Sequence, residues 1–224
     1  MKKSILLFPV FTFLSFTLSA QQLWIGARAG YTLSDVLIKV PSGQAVDEDP
    51  YSQLNEVNRV LGSAHLGLDA RLPIGQRWGI LASLLYARKG YIGKMYWPTG
   101  PADAIWQLHY LNLPIVVDFR LWKGLSLQAG VEAGWLLKTR VQSGSETFNP
   151  DNGLISINDF DFGLVGGLEY SFANGIFIGA RHVYGIAPLQ TFEVTDDLGA
   201  SLGEVKSRNS ATQFSAGYRY FFGH

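Results

Sequence analysis

No cysteine occurs in the 224-residue chain, which excludes disulfides and thiolate metal sites. Charge is scarce as well. Asp, Glu, Lys and Arg make up 16% of the residues, against roughly 25% in soluble domains, and a surface bathed in water would carry more. The two signs balance at 18 residues each, so the basic excess expected of a nucleic-acid partner is missing. Long apolar runs are absent beyond residue 20, and without a run of about 18 apolar residues the mature chain cannot cross a bilayer as helices. No proline-rich linker, charge block or break in composition divides residues 21–224, and about 200 residues suit one all-β domain.

The one apolar run, Ile5 to Leu18, follows Lys2 and Lys3 and closes with Ser19 and Ala20 before Gln21. That is the layout of a secretory signal peptide, shorter than the ~20 residues of a membrane anchor. Cleavage is expected after Ala20, with residues 1–20 as signal and 21–224 as the working domain.

What remains is rich in glycine, 25 residues, and in aromatics, 13% of the chain, and it alternates. In HYLNLPIVVDFRLW, His109 to Trp122, the odd positions from Leu111 to Leu121 are apolar while Tyr110, Asn112, Pro114, Asp118 and Arg120 fall on the other side. Such period-two patterning marks a strand with two unlike faces. Eight stretches read this way: 23–31, 64–72, 78–89, 108–121, 125–138, 161–172, 176–185 and 212–222. Every other connection is a tight turn, PIGQR at Pro73–Arg77, KG at Lys123–Gly124 and ANG at Ala173–Gly175. Between them lie four long segments, 32–63, 90–107, 139–160 and 186–211. Short turns at one end and long loops at the other predict an eight-stranded antiparallel up-and-down transmembrane β-barrel of the outer-membrane kind.

The second face of each strand is small and polar, Ser126, Gln128, Gly130, Glu132 and Gly134 on the fifth being typical. This suits the cramped interior of eight strands. Parity projects Arg28, Asp69, Arg71, Lys89, Asp118, Arg120, Glu132, Lys138, Asp161, Glu169, Arg181 and Arg219 inward. Buried charges persist only when paired, so a lumen-filling ionic network is expected rather than an open pore. Tyr31, Tyr86, Trp135 and Tyr184 each stand eight to ten residues into an upward strand on the outward parity, where an aromatic girdle belongs. Leu81 and Leu85, and likewise Phe177 and Val183, put apolar residues on the inward parity, leaving the third and seventh strands open to a one-residue slip. Pro114 lacks a ladder donor and predicts a bulge.

Candidate chemistry is thin. His65 and His109 are the two histidines placed to act as bases, and neither has a serine and an acid at recognisable spacing. Asp47, Glu48, Asp49 and Tyr51, and Asp151, Asn152 and Gly153, do not complete a calcium loop. Gly163, Gly166 and Gly167 read as interior clearance rather than a phosphate loop. In the segment Tyr91–Trp106, the aromatics Tyr91, Tyr96, Trp97 and Trp106 are candidates for an external contact patch. No cofactor, metal or catalytic set is expected.

LLYARKGY at 84–91, HYLNLPIVVDFRL at 109–121, DFGLVGGLEY at 161–170, IGARHVYGI at 178–186 and AGYRYFF at 216–222 resemble the PorT-like outer-membrane β-barrel proteins of the Bacteroidetes type. These are architectural relatives of the OmpA and OmpX barrels. His182 stands where that family is expected to carry Tyr. The resemblance implies an outer-membrane location and a barrel bathed in outer-membrane lipid, and it names no activity, partner or oligomeric state. The functional expectation is a non-enzymatic barrel whose long loops bind, adhere or support an envelope or secretion complex. The alternatives are a barrel enzyme that modifies or hydrolyses lipid, and a soluble lipocalin-like carrier, against which the Gly-rich polar faces argue.

Overall fold

A computed structural model describes residues 23–41, 59–97, 100–144, 146–148, 157–195 and 201–222. Residues 1–20, read above as an export signal, and the acidic stretches 47–49 and 151–153 lie outside the described residues. The strands are β1 (Leu23–Lys39), β2 (Arg59–Ile74), β3 (Trp78–Trp97), β4 (Gly100–Arg120), β5 (Leu125–Ser143), β6 (Glu146–Phe148), β7 (Phe160–Ser171), β8 (Ile176–Gly185), β9 (Gln190–Thr195) and β10 (Ser201–Phe222). All pairings are antiparallel, and β1 pairs with β10 to close the sheet. β6 and β9 only append to the outer parts of β5 and β10, so the closed wall has eight strands.

The register fixes the shape of that wall. A ladder begun at Trp24 passes through Arg71, Leu81, Val116, Gly130, Val165, Val183 and Ala211 and returns to β1 at Ser34. A return about ten residues higher, with a rise of ~3.3 Å per residue and strands ~4.8 Å apart, tilts the strands by about 40°. At that tilt the lumen holds side chains and little else.

Outward positions are apolar because only such residues can face hydrocarbon. Leu66, Leu68, Ile115, Val117, Leu127, Leu164, Leu168, Ile178 and Phe214 are all exposed on the outer face. Above them stand Tyr31, Tyr86, Trp135, Phe160 and Tyr184, and below them Trp78, Tyr170, Phe172, Tyr218, Tyr220 and Phe222. On β7, Phe160 and Tyr170 belong to opposite rings, which at this tilt are about 25 Å apart, the height of an outer-membrane apolar band.

Two sequence expectations change. The segments beyond Gly90, Thr139 and Ile186 are not simply loops. β3 and β4 remain paired out to Trp97 and Gly100, β5 runs to Ser143, and β9 pairs with the outer part of β10. Strands of up to 22 residues greatly exceed the ~9–11 needed to span the bilayer. Pro114 makes no bulge. It stays in register with Glu132 on β5, and the β3–β4 register is the same on both sides of it; the pairing is merely interrupted between Ala82–Ile115 and Leu85–Asn112, where the imide nitrogen cannot donate. The bulge lies higher, at Leu137, where His109 pairs Lys138 but Tyr110 pairs Leu136.

Parity holds on the two ambiguous strands. Leu81, Leu85, Phe177 and Val183 all point inward and are buried. Phe177 is accommodated by Gly217, where an added Cβ would lie 2.4 Å from its ring. Gly90, at φ +138°, brings β3 so close to Trp106 that an added Cβ would sit 1.9 Å from its carbonyl oxygen. Gly163 and Gly167 also make close approaches, whereas Gly166 faces outward with open space around it.

Candidate functional site

The lumen fills in tiers. Toward the short turns, Arg28 meets Asp69 through a fork of two bonds, 2.7 and 2.8 Å. Arg219 bridges Asp69 at 2.8 Å and Glu169 at 2.5 and 2.8 Å. Arg181 donates to Gln128 Oε1 at 2.7 Å, and Arg71 to Asp118 at 2.8 and 3.0 Å. The Phe177 ring lies 3.8 Å from the Arg219 guanidinium carbon and 5.1 Å from that of Arg28. An apolar side chain belongs in this charged tier because the ring face attracts cations.

Above it an apolar seam of Leu81, Val116, Val165, Val183 and Ala211 follows the ladder traced above. Beside it His65 lies over Gly30 and joins the three adjacent strands β2, β1 and β10, with Nδ1 2.9 Å from Thr32 Oγ1 and Nε2 2.9 Å from Ser215 Oγ. Higher still, Lys89 Nζ is held by Glu132 and Asp161, each at 2.9 Å, and Asn209 donates to Asp161 at 3.0 Å. The uppermost tier is apolar: Val36, Tyr91, Ala104, Trp106, Leu108, Tyr110, Val141 and Leu189 pack together. Tyr91 and Trp106 stack there with centroids 5.7 Å apart and planes 10° apart.

Of the charges projected inward, Arg28, Asp69, Asp118, Glu132, Asp161, Glu169, Arg181 and Arg219 are buried, with Lys89 among them, and Arg71 is largely so. Two are elsewhere. Arg120, the last residue of β4, is exposed at the mouth, where it helps line a cavity of about 530 Å³ with Trp24, Arg71, Lys123 and Arg219. Lys138 is exposed on the outer wall, because the extra residue at Leu137 reverses the parity of everything beyond it on β5. The proposed loop patch is also corrected. Tyr91 and Trp106 are lumen residues, carried inward by the continued alternation of β3 and β4. Tyr96 and Trp97 end β3 opposite Pro101 and Gly100, and their side chains lie outside the described residues.

Sequence reasoning missed Gln128, Phe177, Asn209, Tyr110 and the Thr32–His65–Ser215 set as partners in the lumen. Parity places His65, Tyr110, Gln128, Phe177 and Ser215 inward, whereas Thr32 and Asn209 fall in segments read as loops and join the lumen only because β1 and β10 run on; the barrel's closure then brings strands so distant in sequence together. The Ser215–His65 contact has the distance of a nucleophile and base. It lacks an acid: a threonine hydroxyl holds the other ring nitrogen, and both residues are buried between filled tiers. Among the described residues no group of three or more His, Asp or Glu is placed to hold a metal.

A lipid-facing wall around a lumen of paired charges and apolar tiers agrees with sequence comparison, in which the outer membrane protein beta-barrel domain family matches residues 19–191. The chain belongs to that family. It is an outer-membrane β-barrel protein whose antiparallel strands cross the bilayer. Among solved structures this outer-membrane barrel is similar to Ail, the attachment invasion locus protein of Yersinia pestis, with 19% identity, TM-score 0.45, and 89% of this chain and 99% of that one covered. It is also similar to the outer membrane protein OprG from Pseudomonas aeruginosa (12%, TM-score 0.46, 90% and 96%). A third likeness is to the outer membrane protease OmpT from Escherichia coli (8%, TM-score 0.39, 91% and 98%). No curated protein matches the outer-membrane barrel by sequence.

Proposed function

We propose that this outer-membrane barrel is a non-enzymatic binding protein that works through the strand extensions standing outside the bilayer. The observation that carries this reading is the contrast between a lumen filled tier by tier and a β3–β4 hairpin that continues in register well past the aromatic ring. A filled lumen offers no solute path, while the paired hairpin, together with β6 on β5 and β9 on β10, offers edges and tips to a partner. Adhesion or support of an envelope complex fits that geometry. The strand motifs favour the PorT-like subtype, and residues 1–20 fit its export signal.

The test replaces Lys94–Ala104 with a tight Gly-containing turn and follows the phenotype of the full deletion. The truncated protein should still migrate differently before and after boiling, because the wall is held by its ladder and its lipid-facing rows, yet it should fail to complement the deletion. Full complementation by variants truncated at β3–β4, at β9–β10 and at 44–58, each in turn and then together, would end the reading. Loss of function on His65→Ala in a folded barrel would favour an enzyme instead.

A further inference from the structure

On the outer wall, immediately beyond the aromatic ring of β3, β4 and β5, three cations gather around one histidine. Arg88 stands directly opposite His109 on one side and Lys138 directly opposite it on the other, with Arg140 the next outward residue on β5. Arg88, Lys138 and Arg140 all lie near enough to act electrostatically on the His109 ring. The ring is anchored outside the lumen by the Tyr86 hydroxyl, 2.6 Å from Nδ1. Nε2 on the far side of the ring is buried and has no partner among the described atoms, so the ring serves as a fixed neutral spacer between the cations rather than as a contact. The patch therefore offers three positive charges, of which Lys138 and Arg140 are exposed and Arg88 is half-buried.

The Leu137 bulge builds this patch. With strict alternation Lys138 and Arg140 would point into the lumen; the extra residue turns both outward while Thr139 and Val141 turn in. Bulges serve to re-aim side chains in this way. The surrounding acids do not neutralise the patch. Glu132 and Asp161 are bound to Lys89 inside the barrel, Asp103 lies farther out and is paired with Arg59, and the exposed Asp159, whose carbonyl takes the Leu136 N–H, forms no ion pair with Arg88, Lys138 or Arg140 among the described residues. The opposite wall differs. There Lys39, Lys206 and Arg208 alternate with Asp35 and Glu204, and Lys206 is bonded to Glu204 at 3.0 Å.

We propose that the Arg88–His109–Lys138–Arg140 patch binds the phosphate of an outer-leaflet lipid headgroup, a phosphomonoester rather than a diester. The position is that of the headgroup layer, one outward residue beyond Tyr86. Three cations around one point suit a dianionic group with three free oxygens better than a monoanionic diester with two.

The test uses the full mature protein in phosphatidylcholine nanodiscs and three probes: monophosphoryl lipid A, the same lipid after phosphatase treatment, and phosphatidylglycerol. Native mass spectrometry reads the bound fraction of each. Monophosphoryl lipid A should bind in preference to both others. At about 1 kcal/mol per basic residue near the membrane surface, Arg88→Gln with Arg140→Gln should weaken it about thirtyfold. The matched control on the other wall, Lys39→Gln with Arg208→Gln, should leave it unchanged. If the double variant does not fold, the exposed Lys138→Gln makes the same comparison with a loss of about fivefold. Equal loss in the control pair would reduce the effect to general surface charge and overturn the site. Equal binding of phosphatidylglycerol or of the dephosphorylated lipid would overturn the phosphomonoester assignment, and displacement of the lipid by an acidic peptide at equal concentration would hand the patch to a protein partner.

Discussion

The two ends of the lumen are filled by opposite chemistries. Toward the short turns the filling is arginine against carboxylate, with Arg28 and Arg219 sharing Asp69. Toward the outside it is a stack of Tyr91 and Trp106 among aliphatic side chains. The difference follows from what surrounds each tier. Within the bilayer the wall keeps water away, so any lumen charge must find its counter-charge inside, and a paired network brings strands β1, β2, β7 and β10 together. Beyond the bilayer the outer wall is wetted, and an apolar filling regains the driving force it has in any soluble core. The lower tier thus specifies which strands face one another, and the upper one closes the top.

The largest break in this comparison should come from Asp69→Ala, which strips two buried guanidiniums of their shared partner. Removing one member of a buried ionic set costs about 3–5 kcal/mol, measurable as a fall in the urea midpoint for unfolding from lipid vesicles. Trp106→Ala should cost about 3 kcal/mol through the cavity it leaves, and should also raise single-channel conductance in planar bilayers, where Asp69→Ala in a folded barrel should not. A conductance unchanged in both would show that the upper tier is not the seal. His65→Ala removes two buried hydrogen bonds, at Thr32 and Ser215, and is expected to cost about 1–2 kcal/mol while complementing a deletion strain like the parent. The smallest effect belongs to Arg59→Ala. Its pair with Asp103 is exposed on both sides, and exposed pairs contribute about 0–1 kcal/mol, so its urea midpoint should barely move.

Much of the wall could be read from the chain because lipid imposes a strict rule on every second residue: Leu125, Leu127, Val131 and Trp135 could not be other than outward. The lumen obeys no such rule. Val116 lies in its apolar seam, so an arginine there would be as unwelcome as one at the lipid-facing Val117, and substituting these two neighbours does not distinguish inside from outside. The Leu137 bulge was hidden for a related reason. Leu136 and Leu137 are both apolar, and nothing in a Leu-Leu pair shows which of them is the extra residue, so Lys138 was carried inward by counting. The outer reach of β3 and β4 escaped notice because glycine and proline there read as loop, yet Gly100 and Pro101 sit in an edge-like outer hairpin whose pairing survives them.

The pairing that runs without a break from Leu85–Asn112 to Trp97 and Gly100 also sets how the protein bears a load. A pull on that tip, away from the cell, draws β3 and β4 in the same direction and cannot peel them apart. It can move them only by sliding both past β2 and β5, against two long ladders whose bonds resist together rather than one at a time. A tether fixed at the tip would therefore hold against forces that unzip a hairpin grasped by its two ends.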